Sequence, residues 1–171
     1  MPISVRHVHW TRYCLMMVTL IILALPINAA DKIKDFKRLA TLDGKELTLE
    51  DVQDKATLIA FFFPTCTYCN KALPETVRVY EKYKGQGLSM VWINIVEEEE
   101  ELIPEWLSSH QYDVRVLTGA STQYIARRYD VEMTPEHLII NSDQEILFRQ
   151  RGYEAGYEAE LESQVRVALG L

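Results

Sequence analysis

The sequence is poor in cysteine, proline and glycine, with 3, 6 and 7 of them among 171 residues. So few cysteines exclude a scaffold stapled by several disulfides, and so little glycine and proline excludes a collagen-like or low-complexity chain. Positive charge is also short. With 18 basic against 25 acidic residues the net charge is −7, which argues against nucleic acid as a partner. No apolar run reaches the ~20 residues that a membrane-spanning helix needs, and no internal repeat is present. What remains is an ordinary globular composition, 48% apolar and 25% charged, in a length that suits one domain with one hydrophobic core.

The first thirty residues are built differently from the rest. Arg6 and Arg12 give a basic start, residues 14–27 are apolar, and Asn28-Ala29-Ala30 ends the segment on small residues. That is the build of a secretory signal peptide, cleaved after Ala29 or Ala30. The reading leaves one domain over residues 31–171, exported to the periplasm, or held at the membrane if the segment stays uncut. Cleavage would also remove Cys14 and two basic residues, so that the domain carries 16 basic and 25 acidic residues, a net charge of −9. Cys66 and Cys69 are then its two cysteines.

Hydrophobic periodicity after residue 36 alternates between strand and helix. Two short apolar stretches flank Asp43-Gly44 within residues 36–49, the pattern of a β-hairpin extension. Residues 57–63 (TLIAFFF) and 88–96 (LSMVWINIV) are continuous β-branched and aromatic runs, which predict strands buried on both faces. Between them Leu73, Val77 and Tyr80 recur at helical spacing until Gly85 and Gly87, so strand, helix and strand form one βαβ unit with parallel strands. The fold class is therefore α/β.

The acids at 97–101 are predicted to sit at a helix N-terminus, where backbone N–H groups favour negative charge. That helix runs through Trp106, and Pro104 marks its first turn. A short strand at 114–117 and a helix capped by Ser121 and carrying Ile125 and Tyr129 come next. Residues 137–140 and 146–151, joined by a turn at 141–143, predict an antiparallel hairpin. A final helix from about Gly156 places Tyr157, Leu161, Val165 and Ala168 on one face.

The chemistry-bearing pattern is Cys66-Thr67-Tyr68-Cys69, just past a buried strand and at the mouth of a helix. The N–H groups and dipole of a helix N-terminus stabilise a thiolate, so Cys66 is the candidate attacking thiol. Cys69 lies one helical turn deeper, placed to displace a partner held on Cys66 as a mixed disulfide. Two plainer uses of the pair compete with this one. A structural disulfide closing so short a loop would restrain the unfolded chain by only about 2 kcal/mol. A structural zinc site wants a second ligand pair, for which only the scattered His110 and His137 remain.

The stretches FFFPTCTYCNKALPE and VEMTPEHLIINSDQEILFRQRG resemble the TlpA/ResA group of extracytoplasmic thioredoxin-like reductases, a likeness that runs from about residue 36 to the C-terminus. The resemblance implies a thioredoxin fold, a central mixed sheet flanked by helices. It also implies an active disulfide between Cys66 and Cys69 with no further cofactor or metal. Pro135 corresponds to the cis proline that faces the cysteine pair, which makes Thr134 and Pro135 substrate-contact candidates. Pro74, inside the helix, removes one backbone hydrogen bond. Implied partners are client proteins with thiols or disulfides and a membrane electron donor of the thiol-disulfide type. Implied tasks are cytochrome c maturation or repair of oxidised exported proteins.

The sequence departs from this group at three places. Thr65 stands where tryptophan is common. Ala60 and Ala72 stand where acids occur, so the usual buried proton acceptor is missing. Glu136, after the cis-proline position, resembles the acid found there in the cytochrome c maturation branch and is the substitute candidate, against its plainer role as an edge-strand carboxylate. Two other functions compete for the same residues. A peroxidase of this fold needs Pro, Thr and Cys spaced more widely than the contiguous Pro64-Thr65-Cys66. A copper chaperone would use Cys66, Cys69 and His137 as soft or borderline ligands.

Overall fold

A computed structural model describes residues 39–119 and 122–171. The signal-peptide segment with Cys14, the start of the predicted hairpin at Phe36 and the Ser121 cap lie outside the described residues. In chain order the strands are β1 (Ala40–Thr41), β2 (Ala56–Phe62), β3 (Leu88–Asn94), β4 (Val116–Thr118), β5 (Glu136–Asn141) and β6 (Ile146–Arg151). The helices are α1 (Thr67–Tyr83), α2 (Ile103–His110), α3 (Thr122–Arg128) and α4 (Tyr157–Leu169). They build the α/β architecture expected, a six-stranded mixed sheet in the order β1-β4-β3-β2-β5-β6. Strands β2, β3 and β4 run parallel to one another, while β5 is antiparallel to β2 and β6 to β5.

Strand β2 is central because it has no polar face to offer water. All seven of its residues are buried, and full burial of each large side chain contributes about 1.5–3 kcal/mol. Alternation then sorts the side chains. Leu58, Ala60 and Phe62 face the core shared with α1, α2 and α4, together with Leu73, Trp92, Leu161 and Val165. Ile59 and Phe61 face a second core with Leu39, Leu49, Ile125 and Tyr129, covered by α3 and the segment before β2.

Three predicted elements differ from those observed. The hairpin shrinks to the two residues of β1, which pair with β4, and its return arm is a single bridge between Ala40 and Glu46. The turn itself is present, with Gly44 at φ +82° and its N–H bonded to the Thr41 carbonyl. Residues Glu97–Leu102 form a 3-10 segment ahead of α2 rather than the first turn of an α-helix. Pro104 does fall in the first turn of α2. Finally, β4 begins at Val116, two residues later than expected.

One polar network crosses the larger core. Thr76 Oγ1 lies 3.0 Å from His137 Nε2 and 2.9 Å from the Tyr157 hydroxyl, so α1, β5 and α4 meet at one hydroxyl. Burial pushes His137 down to about 4 and Tyr157 up to about 12. The unfolded imidazole takes up a proton below about pH 6.5, whereas the folded one stays neutral until about 4. Its contribution to stability is therefore complete above about pH 6.5 and is lost as pH falls toward 4. Urea unfolding across this window should show stability falling with pH in the wild type. In His137→Gln that portion of the slope should be missing, a difference of up to about 3 kcal/mol between the two curves.

Candidate active site

Strand β2 delivers the chain to a turn, Phe63-Pro64-Thr65, after which Cys66 caps α1 with φ −67° and ψ 109°. The Cys66 N–H donates to the Phe63 carbonyl, which closes the turn. Cys66 Sγ accepts from the Cys69 N–H at 3.1 Å, so a backbone donor of the first helical turn already points at this sulfur. The two cysteines are joined as a disulfide with Cα atoms 5.2 Å apart. Cys66 is 6% exposed and Cys69 0%, and that difference leaves Cys66 as the sulfur within reach of another molecule.

The Thr134–Pro135 peptide bond is cis. Thr134 Oγ1 lies 3.5 Å from Cys66 Sγ, across 68 positions of sequence. Cys66, its disulfide partner Cys69 and Thr134 thus form one constellation, with Pro135 next to Thr134 in the chain. Around it Tyr68 is 56% exposed and Met133 50%. The Tyr68 ring stacks on Tyr153, with Lys71 Nζ 5.4 Å from its centre.

Glu136 is not brought to this constellation. In an extended strand neighbouring side chains point to opposite faces, and His137 reaches α1, so Glu136 turns to the other core. There its carboxylate pairs with Arg149 and stands 3.5 Å from Arg151 Nε. Burial pushes this carboxyl up, against the pull of the two guanidinium groups. Arg149 also donates to the carbonyls of Tyr129 and Asp130, which ties the pair to the end of α3. Glu136 here is an inter-element ion pair. Ala60 and Ala72 are both fully buried, so no carboxylate occupies either of those positions under the disulfide.

His137 is likewise separated from the sulfurs. Its partner Thr76 sits two turns beyond Cys69, about 10 Å along the helix axis, and the copper-ligand set of Cys66, Cys69 and His137 is not assembled. Among the described residues no three His, Cys, Asp or Glu side chains converge on a metal-sized position. Thr65, the hydroxyl a peroxidase would need, donates instead to Glu99 Oε1 at 2.6 Å.

Three residues that sequence reasoning passed over hold the turn in place. The Asn70 amide donates to the carbonyls of Pro64 and Cys66 at 3.1 and 3.2 Å. Its Oδ1 accepts from the Trp106 indole N–H at 2.9 Å. Trp106 is itself packed on Phe62 and Trp92, with ring centres 5.2 and 5.9 Å away. Glu99 accepts from the Thr65 N–H at 2.9 Å as well as from its hydroxyl. The polar Asn70, one turn into an otherwise amphipathic helix, was the only local signal for any of the three.

Comparison with known proteins agrees with this arrangement. The Redoxin family matches residues 28–165. The thiol-disulfide oxidoreductase ResA of Bacillus subtilis is 26% identical over 109 residues, 64% of this chain and 60% of that protein. The ResA of Bacillus cereus is 24% identical over 106 residues, 62% of this chain and 60% of the relative. The chain thus spans about three fifths of the length of these relatives. Among solved structures, a Chlorobium tepidum protein assigned as a thiol:disulfide interchange protein DsbE superimposes with a TM-score of 0.74 at 23% identity, covering 82% of this chain and 97% of that one. At that identity the likeness establishes the thioredoxin fold.

Replacing Asn70 by Ala removes three hydrogen bonds and leaves the Trp106 N–H unpaired. Unfolding free energy should drop by about 2–3 kcal/mol. Trp106→Phe and the Asn70→Ala/Trp106→Phe double variant complete a cycle, and a coupling energy of about 1 kcal/mol is expected. Denaturant titration of the four proteins measures it.

Proposed function

The chain belongs to the Redoxin family, and from that premise we propose that it is a thiol-disulfide oxidoreductase in which Cys66 attacks and Cys69 resolves. In the reducing direction both cysteines start as thiols. The Cys66 thiolate attacks one sulfur of a client disulfide; a new S–S bond forms to Cys66, and the other client sulfur leaves as a thiolate. Cys69 then gives up its proton and attacks Cys66 Sγ, which expels the second client sulfur. Two electrons have passed to the client, and the pair ends as the disulfide present here.

The observation that carries this reading is the asymmetry of the pair. Cys66 caps the helix and touches the surface beside Thr134, while Cys69 is enclosed one turn inward. The helix N-terminus and the Cys69 N–H stabilise negative charge on Cys66. Thr134 and Pro135 line the approach, where an extended client segment can lie against the cis-proline loop. With neither Ala60 nor Ala72 able to take a proton, and Glu136 held by Arg149 and Arg151, the Cys69 proton leaves to solvent or to the departing client thiolate.

The finer reading is a disulfide reductase, exported by its N-terminal segment and kept reduced by a membrane donor of the thiol-disulfide type. Its clients are exported proteins with thiols or disulfides, in cytochrome c maturation or in thiol repair. The likeness to ResA proteins supports this direction. The redox state of the pair trapped in intact cells checks it: a mainly dithiol pair is expected, and a mainly disulfide pair marks an oxidase.

Cys69→Ser should accumulate mixed disulfides with clients through Cys66, because no internal thiol can release them. Cys66→Ser should not. Non-reducing gels of each variant expressed in the exported compartment make the comparison. A better trap in Cys66→Ser, or none in either, overturns the assigned roles.

A further inference from the structure

Five consecutive acids follow β3, and on composition alone they look like a solvated run. One of them has a different position. Among the described residues Glu99 is the acid of this run that reaches the turn ahead of α1, where it accepts from both the N–H and the hydroxyl of Thr65. Thr65 is bonded directly to Cys66, and adjacent Cα atoms are only about 3.8 Å apart. A carboxylate is therefore held on the residue that directly precedes Cys66 in the chain. It is held by two donors and backed by the same 3-10 segment and helix whose Trp106 secures Asn70.

We propose that Glu99 is a positioning residue for Cys66, which tethers the turn that presents the sulfur and sets a negative charge on the residue before it, so that the disulfide is favoured over the dithiol. The inference rests on the exchange reading given above and adds what sets the poise of the pair. Its physical content is a competition. The helix N-terminus and the Cys69 N–H stabilise a Cys66 thiolate, and a pair whose reduced form is stabilised becomes a stronger oxidant. Glu99 opposes this in two ways. Its charge repels a thiolate, and it draws off the Thr65 hydroxyl, a rotatable donor that could otherwise turn toward the sulfur. Both effects make the reduced pair give up its electrons more readily, the tendency a reductase requires. With Ala60 and Ala72 buried and uncharged, neither position offers a carboxylate to do this from beneath.

Glu99→Gln separates charge from tether. The carboxamide oxygen can still accept from Thr65, so the turn keeps its anchor while the charge is lost. Equilibration of the full chain with glutathione buffers should shift about threefold toward the dithiol in Glu99→Gln, which is about 14 mV at ~30 mV per tenfold. The Cys66 thiolate absorbance should titrate at correspondingly lower pH. Glu98→Gln, an exposed acid without a bond to the turn, should move the equilibrium by less than half as much. In the wild type, 1 M salt should shift the equilibrium in the same direction as Glu99→Gln, because the screening length falls to about 3 Å. Equal values for wild type and Glu99→Gln, an equal shift in Glu98→Gln, or no effect of salt on the wild type overturns the role of Glu99. A wild type that fails to exchange with glutathione through Cys66 overturns the exchange reading itself, so the two failures are distinguishable.

Discussion

Burial of β2 is the constraint on which the active-site turn depends. Its seven residues are enclosed by β3 on one side, β5 on the other and a hydrophobic core on each face. A strand held on four sides ends at a fixed place and in a fixed direction. The chain leaves it through Phe63-Pro64-Thr65 and enters α1 at Cys66, so the position of the sulfur follows from the packing of Leu58, Phe61 and Phe62 several residues earlier. The same enclosure fixes β5, and with it the preceding loop that brings the Thr134 hydroxyl to Cys66.

A turn between a buried strand and a helix exposes several backbone groups at once, and each needs a partner. Asn70 supplies two donors to the carbonyls of Pro64 and Cys66, and Glu99 takes up the N–H of Thr65. Both are supported from the segment after β3. Trp106 in α2 bonds Asn70 while its ring packs among Phe62, Trp92 and Tyr112. Polar satisfaction of the turn is thereby coupled to apolar packing on the larger core. This couples a disulfide near the surface to the stability of the domain.

The two faces of β5 show how strand parity divides labour between neighbours. His137 turns toward α1 and α4 and is buried neutral against Thr76 and Tyr157. Glu136 turns the other way and is buried between Arg149 and Arg151, which also anchor the loop after α3. One residue of register separates a polar link within the larger core from an ion pair in the smaller one. Neither side chain reaches the sulfurs, although Glu136 lies only two residues after Thr134, whose hydroxyl does.

The sequence by itself determined the elements whose signals are local. Continuous apolar runs gave the buried strands, 3.6-residue spacing gave α1 and α4, and the cysteines fell at a strand-to-helix junction where thiol chemistry is favoured. The hairpin near Asp43-Gly44 was overdrawn because its turn chemistry is local, while the length of its arms depends on pairing with β4. Tertiary structure alone decided the composition of the site. Thr134 meets Cys66 across 68 positions, Trp106 meets Asn70 across 36 and Glu99 meets Thr65 across 34. No periodicity encodes such contacts, since they arise where separate elements are brought together by the burial of their apolar faces. The same holds for Glu136, whose place in the chain suggested the active site until the parity of a packed strand turned its carboxylate to the opposite face.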